Sequence, residues 1–167
     1  VVVPQGANGT VDTSEVVDFN PNAKAITAVN PHSAHIGVTR VEGITNTLTA
    51  PTGGLISGQA ALINLLGTAP KEMAVVPQFA LVINYPRIGG GGGGFGGGFQ
   101  GPINLTETLA NNERQLEQIR KMLRDAEAYG RSQDAYEKDK TLPRPDHNVV
   151  LEPLVPYVRG QQPVIFR

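Results

Sequence analysis

Cysteine is missing from all 167 residues, which excludes disulfides, cysteine-held iron–sulfur clusters and thiol catalysis and leaves the compartment open. Charge is sparse as well. Charged residues make up 17% of the chain and the net charge is −1, so no broad electrostatic pull toward nucleic acid or an anionic membrane surface is expected. No apolar run approaches the roughly 20 residues that a membrane-spanning helix needs. Several catalytic signatures are also lacking: no Gly-Lys-Ser/Thr for a nucleoside triphosphate, no H-E-x-x-H and no G-x-S-x-G elbow. The chain opens "VVVPQG" without methionine or targeting segment, and it closes on the apolar run "QQPVIFR" with no turn signal. Both ends read as cuts through a longer polypeptide, and natural processing would leave the same ends.

What is present suffices for one domain. Hydrophobic residues form 40% of the 17.7 kDa chain, enough for a sizeable core and too many for disorder throughout. Residues 1–19 read as loop, with Val16, Val17 and Phe19 available to tack it to a core. "NPNAKAITAV" predicts a short helix with Asn20 as N-cap and Pro21 at the first helical position. A second short helix is expected from about Ser33 to Val41, ended by Gly43. Ile44 to Thr49 is rich in β-branched residues and reads as a strand closed by Pro51, Gly53 and Gly54.

"GQAALINLLG" fits a strand or a short helix, since periodicity does not separate them over so few residues. "TAPKEMAVV" resembles a helix start with Pro70 at its first position, and "QFALVINYP" a strand closed by Pro86. The clearest element follows. Leu105, Leu109, Leu116, Ile119, Leu123 and Ala126 mark one face of a helix expected to end near Tyr129 with Gly130 as its cap. Glu113, Arg114, Glu117, Arg120, Lys121 and Arg124 give its solvated face. After a polar connection, Leu151–Arg159 reads as a short helix bent by Pro153 and Pro156, and "PVIFR" as a final strand. Alternation of helices and strands predicts an α/β fold with a mainly parallel sheet, with a closed barrel and an open doubly wound sheet equally compatible.

"RIGGGGGGFGGGFQGP", from Arg87 to Pro102, holds ten glycines and two phenylalanines. It contains G-x-G-x-x-G only because it is nearly all glycine, and such a run has too much backbone entropy to hold one phosphate cradle. A flexible linker is the next reading. The segment beyond it offers too little for an independent core, so a loop insertion in one fold fits best. The chain then divides into residues 1–87, the glycine-rich insertion loop 88–102 with Phe95 and Phe99 as local anchors, and a continuation of the same fold over 103–167.

Candidate chemistry is thin. His32 and His35 stand three apart on a predicted helix, but a zinc site needs three or four ligands and Glu42 lies two turns on. Surface histidines are the reading for this pair, and Asp146–His147 reads as a helix cap. "APTGGLISGQ" is richer: Thr52, Gly53, Gly54, Ser57, Gly58 and Gln59 lie just past a strand's C-terminal end, where α/β folds bind substrates. An ordinary turn explains the same residues.

Two stretches carry a family resemblance. "NPNAKAITAVNPHSAHIGVTRVEGITNTLTAPTGGLISGQAALINLLGTAPKEM" resembles the amidohydrolase superfamily, specifically its imidazolonepropionase-like branch, through Ala25, Asn30, Pro31, Arg40, Gly43, Ile44, Thr45, Pro51, Gly58, Gln59, Ile63, Gly67, Glu72 and Met73. "LEPLVPYVRGQQPVIFR" resembles that branch's "LEALxPVLRGExPVxxH", in the right order along the chain. The resemblance implies an interior portion of a TIM-type (β/α)₈ barrel from a metal-dependent hydrolase that opens cyclic amides or cleaves peptide-like C–N bonds. It implies a divalent metal, zinc the first candidate, held by a His-x-His before Val1 and by further ligands beyond Arg167. Arg167 stands where the family often places a ligand histidine, and a guanidinium has no lone pair to give a metal. The portion itself is expected to be inactive and to supply scaffold and the substrate-side loop Thr52–Gln59. Its expected partners are the rest of the parent barrel and a small-molecule substrate, with a homo-oligomer left open and neither nucleic acid nor membrane expected. The alternative is a non-catalytic barrel of the same kind used for binding or assembly.

Overall fold

The computed structural model describes residues 17–86 and 105–167. Both the glycine-rich insertion with Phe95 and Phe99 and the first loop residues, including Val16, lie outside the described residues. The described chain is mixed α/β, with helices packed on a curled, four-stranded half-barrel sheet of order β1-β2-β3-β4. Its strands are β1 (Asn46–Thr49), β2 (Ile56–Asn64), β3 (Ala74–Ile83) and β4 (Val164–Phe166). The helices are α1 (Ala34–Val41), α2 (Pro70–Met73), α3 (Leu105–Lys138) and α4 (Val155–Val158), with single 3-10 turns at Ala25–Ala28 and Glu152–Leu154. Among these, no helix is long and apolar enough to cross a membrane.

The expectation of a mainly parallel sheet needs correction. β1 pairs with β2 and β2 with β3 antiparallel; only β3 and β4 run parallel. Connection length explains the order. A parallel crossover needs about a dozen residues or more. Only residues 50–55 join β1 to β2, and only 65–73 join β2 to β3. The connection from β3 to β4 contains α3 and α4, and there the pairing turns parallel.

"GQAALINLLG" resolves as strand β2. β3 is longer than expected because it takes in "AVV", read from sequence as part of a helix, and Pro77. Pro77 fits there because pairing jumps from Leu62↔Val76 to Ala60↔Ala80, so it sits in an irregular stretch of the ladder.

Asn20 does not cap a helix. Its backbone N–H donates to Ile56 O at 2.8 Å and its side chain to Val17 O at 2.6 Å. Parallel bridges Phe19↔Ile56 and Lys24↔Gln59 hold this segment beside β2, and only one 3-10 turn follows. Gly58 makes that approach feasible: its φ is +128°, and a Cβ there would lie 2.5 Å from Ala23 O.

Two apolar clusters fix the helix layer. The larger joins Ile56, Leu81 and Ile83 of the sheet to Ile119 and Ala126 of α3 and to Leu154 and Tyr157, with Phe19 and Val164 packed against it. The smaller sets Ala61, Ile63, Leu65 and Met73 against Ile26, Val29 and Ile36. α3 presents the expected face, although Leu105 and Leu109 remain exposed. Its charged face is solvated, with Glu117 paired to both Arg120 and Arg124.

α3 does not stop at Gly130. It continues to Lys138, and Gly130 is a buried interior position where a Cβ would come 3.0 Å from Val155 Cγ1. Arg159 Nη2 donates to Gly130 O at 3.0 Å and to Asp134 Oδ1 at 2.8 Å, fastening the extension to α4. Glycine here serves close packing of two helices rather than termination.

Gly58→Ala is expected to lower stability by about 3 kcal/mol through positive-φ strain and overpacking. Gly37→Ala, inside α1 with nothing within 4 Å of the added methyl, is expected to raise it by about 0.5–1 kcal/mol. Urea midpoints of opposite sign check both. Glu72 accepts from the Thr68 N–H and hydroxyl, both at 2.9 Å, and the backbone bond foremost holds its carboxyl below the ordinary value. Folding lowers this pKa, so the stabilisation is present above the unfolded value and is lost as pH falls through the folded one. Glu72→Gln is expected to be less stable than wild type at neutral pH, with the gap closing on acidification in a series of thermal melts.

Candidate functional site

β1 runs antiparallel to β2, and β2 to β3, so β1, β3 and β4 all point the same way. The ends of β3 and β4, Ile83 and Phe166, lie side by side at one end of the sheet, whereas β1 stops short of it, its last residue Thr49 pairing with Ala61 partway along β2. The 50–55 loop lies at that end, because Ile56 at the start of β2 pairs with Ile83. This is the end at which α/β sheets present their sites.

Hydrogen bonds define the outermost row of this rim. Arg167 O accepts from Tyr85 N at 2.8 Å, Leu55 O from Asn84 N at 2.8 Å, and Asp18 O from Leu55 N at 2.7 Å. The row thus reads Arg167, Asn84, Leu55, Asp18. Below it lies the row Phe166, Ile83, Ile56, Phe19.

Side-chain direction follows from alternation. Leu81, Ile83 and Val164 pack on the helix layer, so Val82, Asn84, Ile165 and Arg167 emerge on the opposite face.

Asn84 organises the rim. Its Nδ2 donates to Gly54 O at 2.6 Å, to Ser57 Oγ at 2.9 Å and, more weakly, to Gly53 O at 3.4 Å. Ser57 Oγ in turn donates to Gly53 O at 2.7 Å. Gly54 has φ +62°, and a Cβ there would meet Val17 O at 2.4 Å, so this turn also presses on the 17–18 backbone.

Ser57 and Gln59 are fully or nearly fully buried, at 0% and 2% exposure. Gln59 Nε2 donates to Pro21 O at 2.9 Å, while its Oε1 is buried without a partner among the described residues. Gly58 lies against Ala23. Thr52 is exposed at the loop tip. The structure therefore brings Gly53, Gly54 and Ser57 together around Asn84, and ties Gly58 and Gln59 to the 17–24 segment.

The histidines lie elsewhere. His32 and His35 are exposed, in α1 and the turn before it. Among the described residues no group of three or more His, Cys, Asp or Glu comes together. His147 does not cap a helix with Asp146. Asn148 instead caps the turn that follows it, its Oδ1 accepting from Val150 N and Leu151 N at 3.0 Å, while His147 Nδ1 lies 2.9 Å from Glu152 Oε2.

An open groove of about 540 Å³ lies between the end of α3 and residues 144–159. Its charges are largely spent internally, in the pairs Asp134–Arg159, Glu137–Lys140 and His147–Glu152. It is a joint between elements, away from the strand ends.

Sequence reasoning missed Asn84, which read only as the tail of a strand. The available signal was a hydrogen-bonding amide directly after the apolar run "FALVI" and two residues before Pro86.

Asn84→Ala is expected to cost about 1–3 kcal/mol, because it leaves partly buried carbonyls without their donor. Asn84→Asp should cost more, since it turns a carboxylate oxygen toward Gly53 O and Gly54 O. Urea unfolding checks the order, and a smaller loss for the aspartate would contradict the donor geometry.

No family model matches the chain, and no curated protein is similar to it in sequence. Among solved structures it is similar to an amidohydrolase from Thermotoga maritima MSB8, with a TM-score of 0.74 at 15% identity. The match covers 97% of this chain and 40% of that one. The chain thus spans well under half the length of that structure, and the likeness is one of fold.

Proposed function

We propose that this chain is a portion of a TIM-type (β/α)₈ barrel from a metal-dependent, imidazolonepropionase-like amidohydrolase acting on the C–N bonds of cyclic amides or peptide-like substrates. The observation that carries this reading is the fold likeness to an amidohydrolase over 97% of the chain. The two quoted sequence stretches support it, as does the gathering of the 50–55 loop and the ends of β3 and β4 at one rim. In this reading the portion supplies scaffold and the substrate-side stretch from Thr52 to Gln59, a turn held by Asn84 that runs into β2, and has no hydrolytic activity alone.

A divalent metal, zinc first, is proposed for the complete protein. The described residues do not fit it, because no ligand cluster forms among them and the Arg167 guanidinium has no lone pair to offer. The ligands are therefore assigned to polypeptide outside these residues.

The same reading requires a neighbour for β4. Pro163 O accepts from Leu81 N, Arg167 N donates to Ile83 O, and Arg167 O accepts from Tyr85 N, so these alternate residues face β3. Val164 and Phe166 consequently turn their N–H and C=O groups away from it. In the complete protein, slow hydrogen exchange at the Val164 and Phe166 amides and near-stoichiometric divalent metal are expected. Fast exchange at both amides overturns the barrel, and a metal-free protein with slow exchange favours a barrel used for binding or assembly.

A further inference from the structure

We infer that the side-chain carbonyl of Asn84 is a hydrogen-bond acceptor that reads a neutral N–H on the bound molecule, so that the ligand at this rim is an amide with an unsubstituted nitrogen. The inference rests on the barrel reading above, which makes the face opposite the helix layer the inner one. It deepens that reading by naming what the substrate must carry.

Orientation of the carboxamide comes first. Gly53 O and Gly54 O can only accept, and Ser57 Oγ spends its own proton on Gly53 O, so all three groups facing this amide demand a donor. Nδ2 therefore lies toward the turn. Reversing the amide would set Oδ1 against two carbonyl oxygens, so the surrounding network leaves one arrangement. Oδ1 is carried on the other side of the planar group, away from the turn. The backbone behind it is held as well, Asn84 N donating to Leu55 O at 2.8 Å.

The uncommitted oxygen comes second. Asn84 is half-buried, and its Oδ1 accepts from no described residue. Asn30, Asn64 and Asn148 differ, because their Oδ1 atoms accept from the backbone N–H groups of His32, of Leu66, and of Val150 and Leu151. Asn20 and Asn46 also leave Oδ1 without a described donor, but each of those amides is held by a single bond. Asn84 combines a fully committed Nδ2, a spare Oδ1 and a place at the strand ends.

Chemistry decides the ligand. A fixed carbonyl oxygen takes a donor, and the Arg167 guanidinium on the adjoining strand disfavours a cationic one. A neutral N–H donates without accepting, which matches a group that accepts without donating. The bond proposed for cleavage is a C–N bond, and in an unsubstituted lactam its nitrogen carries such an N–H. A site built to hydrogen-bond an N–H discriminates against the analogue that lacks it, because its own oxygen is then left unpaired.

The test titrates the complete protein, followed by NMR, with 2-pyrrolidinone and with cyclopentanone, the same ring with a methylene in place of the N–H. Wild type is expected to bind the lactam about tenfold more tightly, the upper range for one neutral hydrogen bond. Asn84→Ala should bring the ratio close to one, and Asn84→Gln, which keeps an acceptor on a longer arm, should keep part of it. Equal binding of the probes by wild type, binding of neither, or a ratio that persists in Asn84→Ala overturns the inference. A fall in both affinities at constant ratio belongs with the last of these, since it marks a residue that only shapes the turn. Cyclopentanol binding as tightly as the lactam, with the same dependence on Asn84, overturns the assignment to N–H. If Asn84→Ala does not fold, the carbon-13 resonance of the Asn84 side-chain carbonyl in wild type, assigned through Asn84→Gln, decides. It should move with 2-pyrrolidinone and stay in place with cyclopentanone, and equal movement or none overturns the inference. Hydrogen exchange at Val164 and Phe166 in the same protein separates the two readings. An Asn84-dependent ratio with fast exchange upholds this inference while the barrel fails, and slow exchange with a ratio that ignores Asn84 does the reverse.

Discussion

Backbone of residues 17–24 lies against the start of β2 at a separation no side chain could share. Asp18 O accepts from both Leu55 N and Ile56 N, Asn20 N donates to Ile56 O, and Gln59 N donates to Ala23 O. Gly54 and Gly58 are the residues that permit it, because a methyl at either would overlap carbonyl oxygens of the adjoining segment. The rest of the structure depends on this contact. It sets where β2 begins, and therefore the shape of the 50–55 turn, and therefore which atoms Asn84 can reach. The polar residues of the rim are positioned by backbone packing as much as by their own hydrogen bonds.

A second constraint is the length of the connections. Short joins between the first three strands leave no room for a crossover, so the chain folds back on itself. The long excursion through α3 then returns β4 to lie parallel to β3. The helix that makes this return is anchored mainly around its middle, where Ile119 and Ala126 enter the larger apolar cluster. Gly130 and Arg159 lock its extension to α4. The result is a helix layer on one face of the sheet and strand ends gathered at one rim.

Much of the local structure was legible from residue patterns. Gly43 ends α1, Pro70 opens α2, the stripe from Leu116 to Ala126 faces the core, and Pro153 and Pro156 confine a short helical stretch, all as read. What escaped were features decided by contacts distant in sequence. Asn20 and Pro21 carry the signature of a helix start, but the pull of β2 outweighs it. Gly130 carries the signature of a helix end, but its partner is Val155, and nothing local announces that. Strand direction was misjudged because alternation of helices and strands was weighted above the number of residues joining them. Asn84 was overlooked because its partners lie about 30 positions earlier, at Gly53, Gly54 and Ser57. The resemblance in sequence and the likeness in fold agree on architecture, yet the chemistry of a hydrolase would have to be completed by groups that these residues do not contribute.

The outward-facing amides of Val164 and Phe166 carry a practical consequence. Phe166 is also two-thirds exposed, at 66%, so among the described residues β4 shows an unpaired hydrogen-bonding margin next to a bare aromatic ring. Such a seam is adhesive. Handled without whatever normally lies beside it, the polypeptide would stick edge to edge with its own copies as concentration rises. Its shelf life in solution would then be governed by crowding at this seam rather than by the strength of its core.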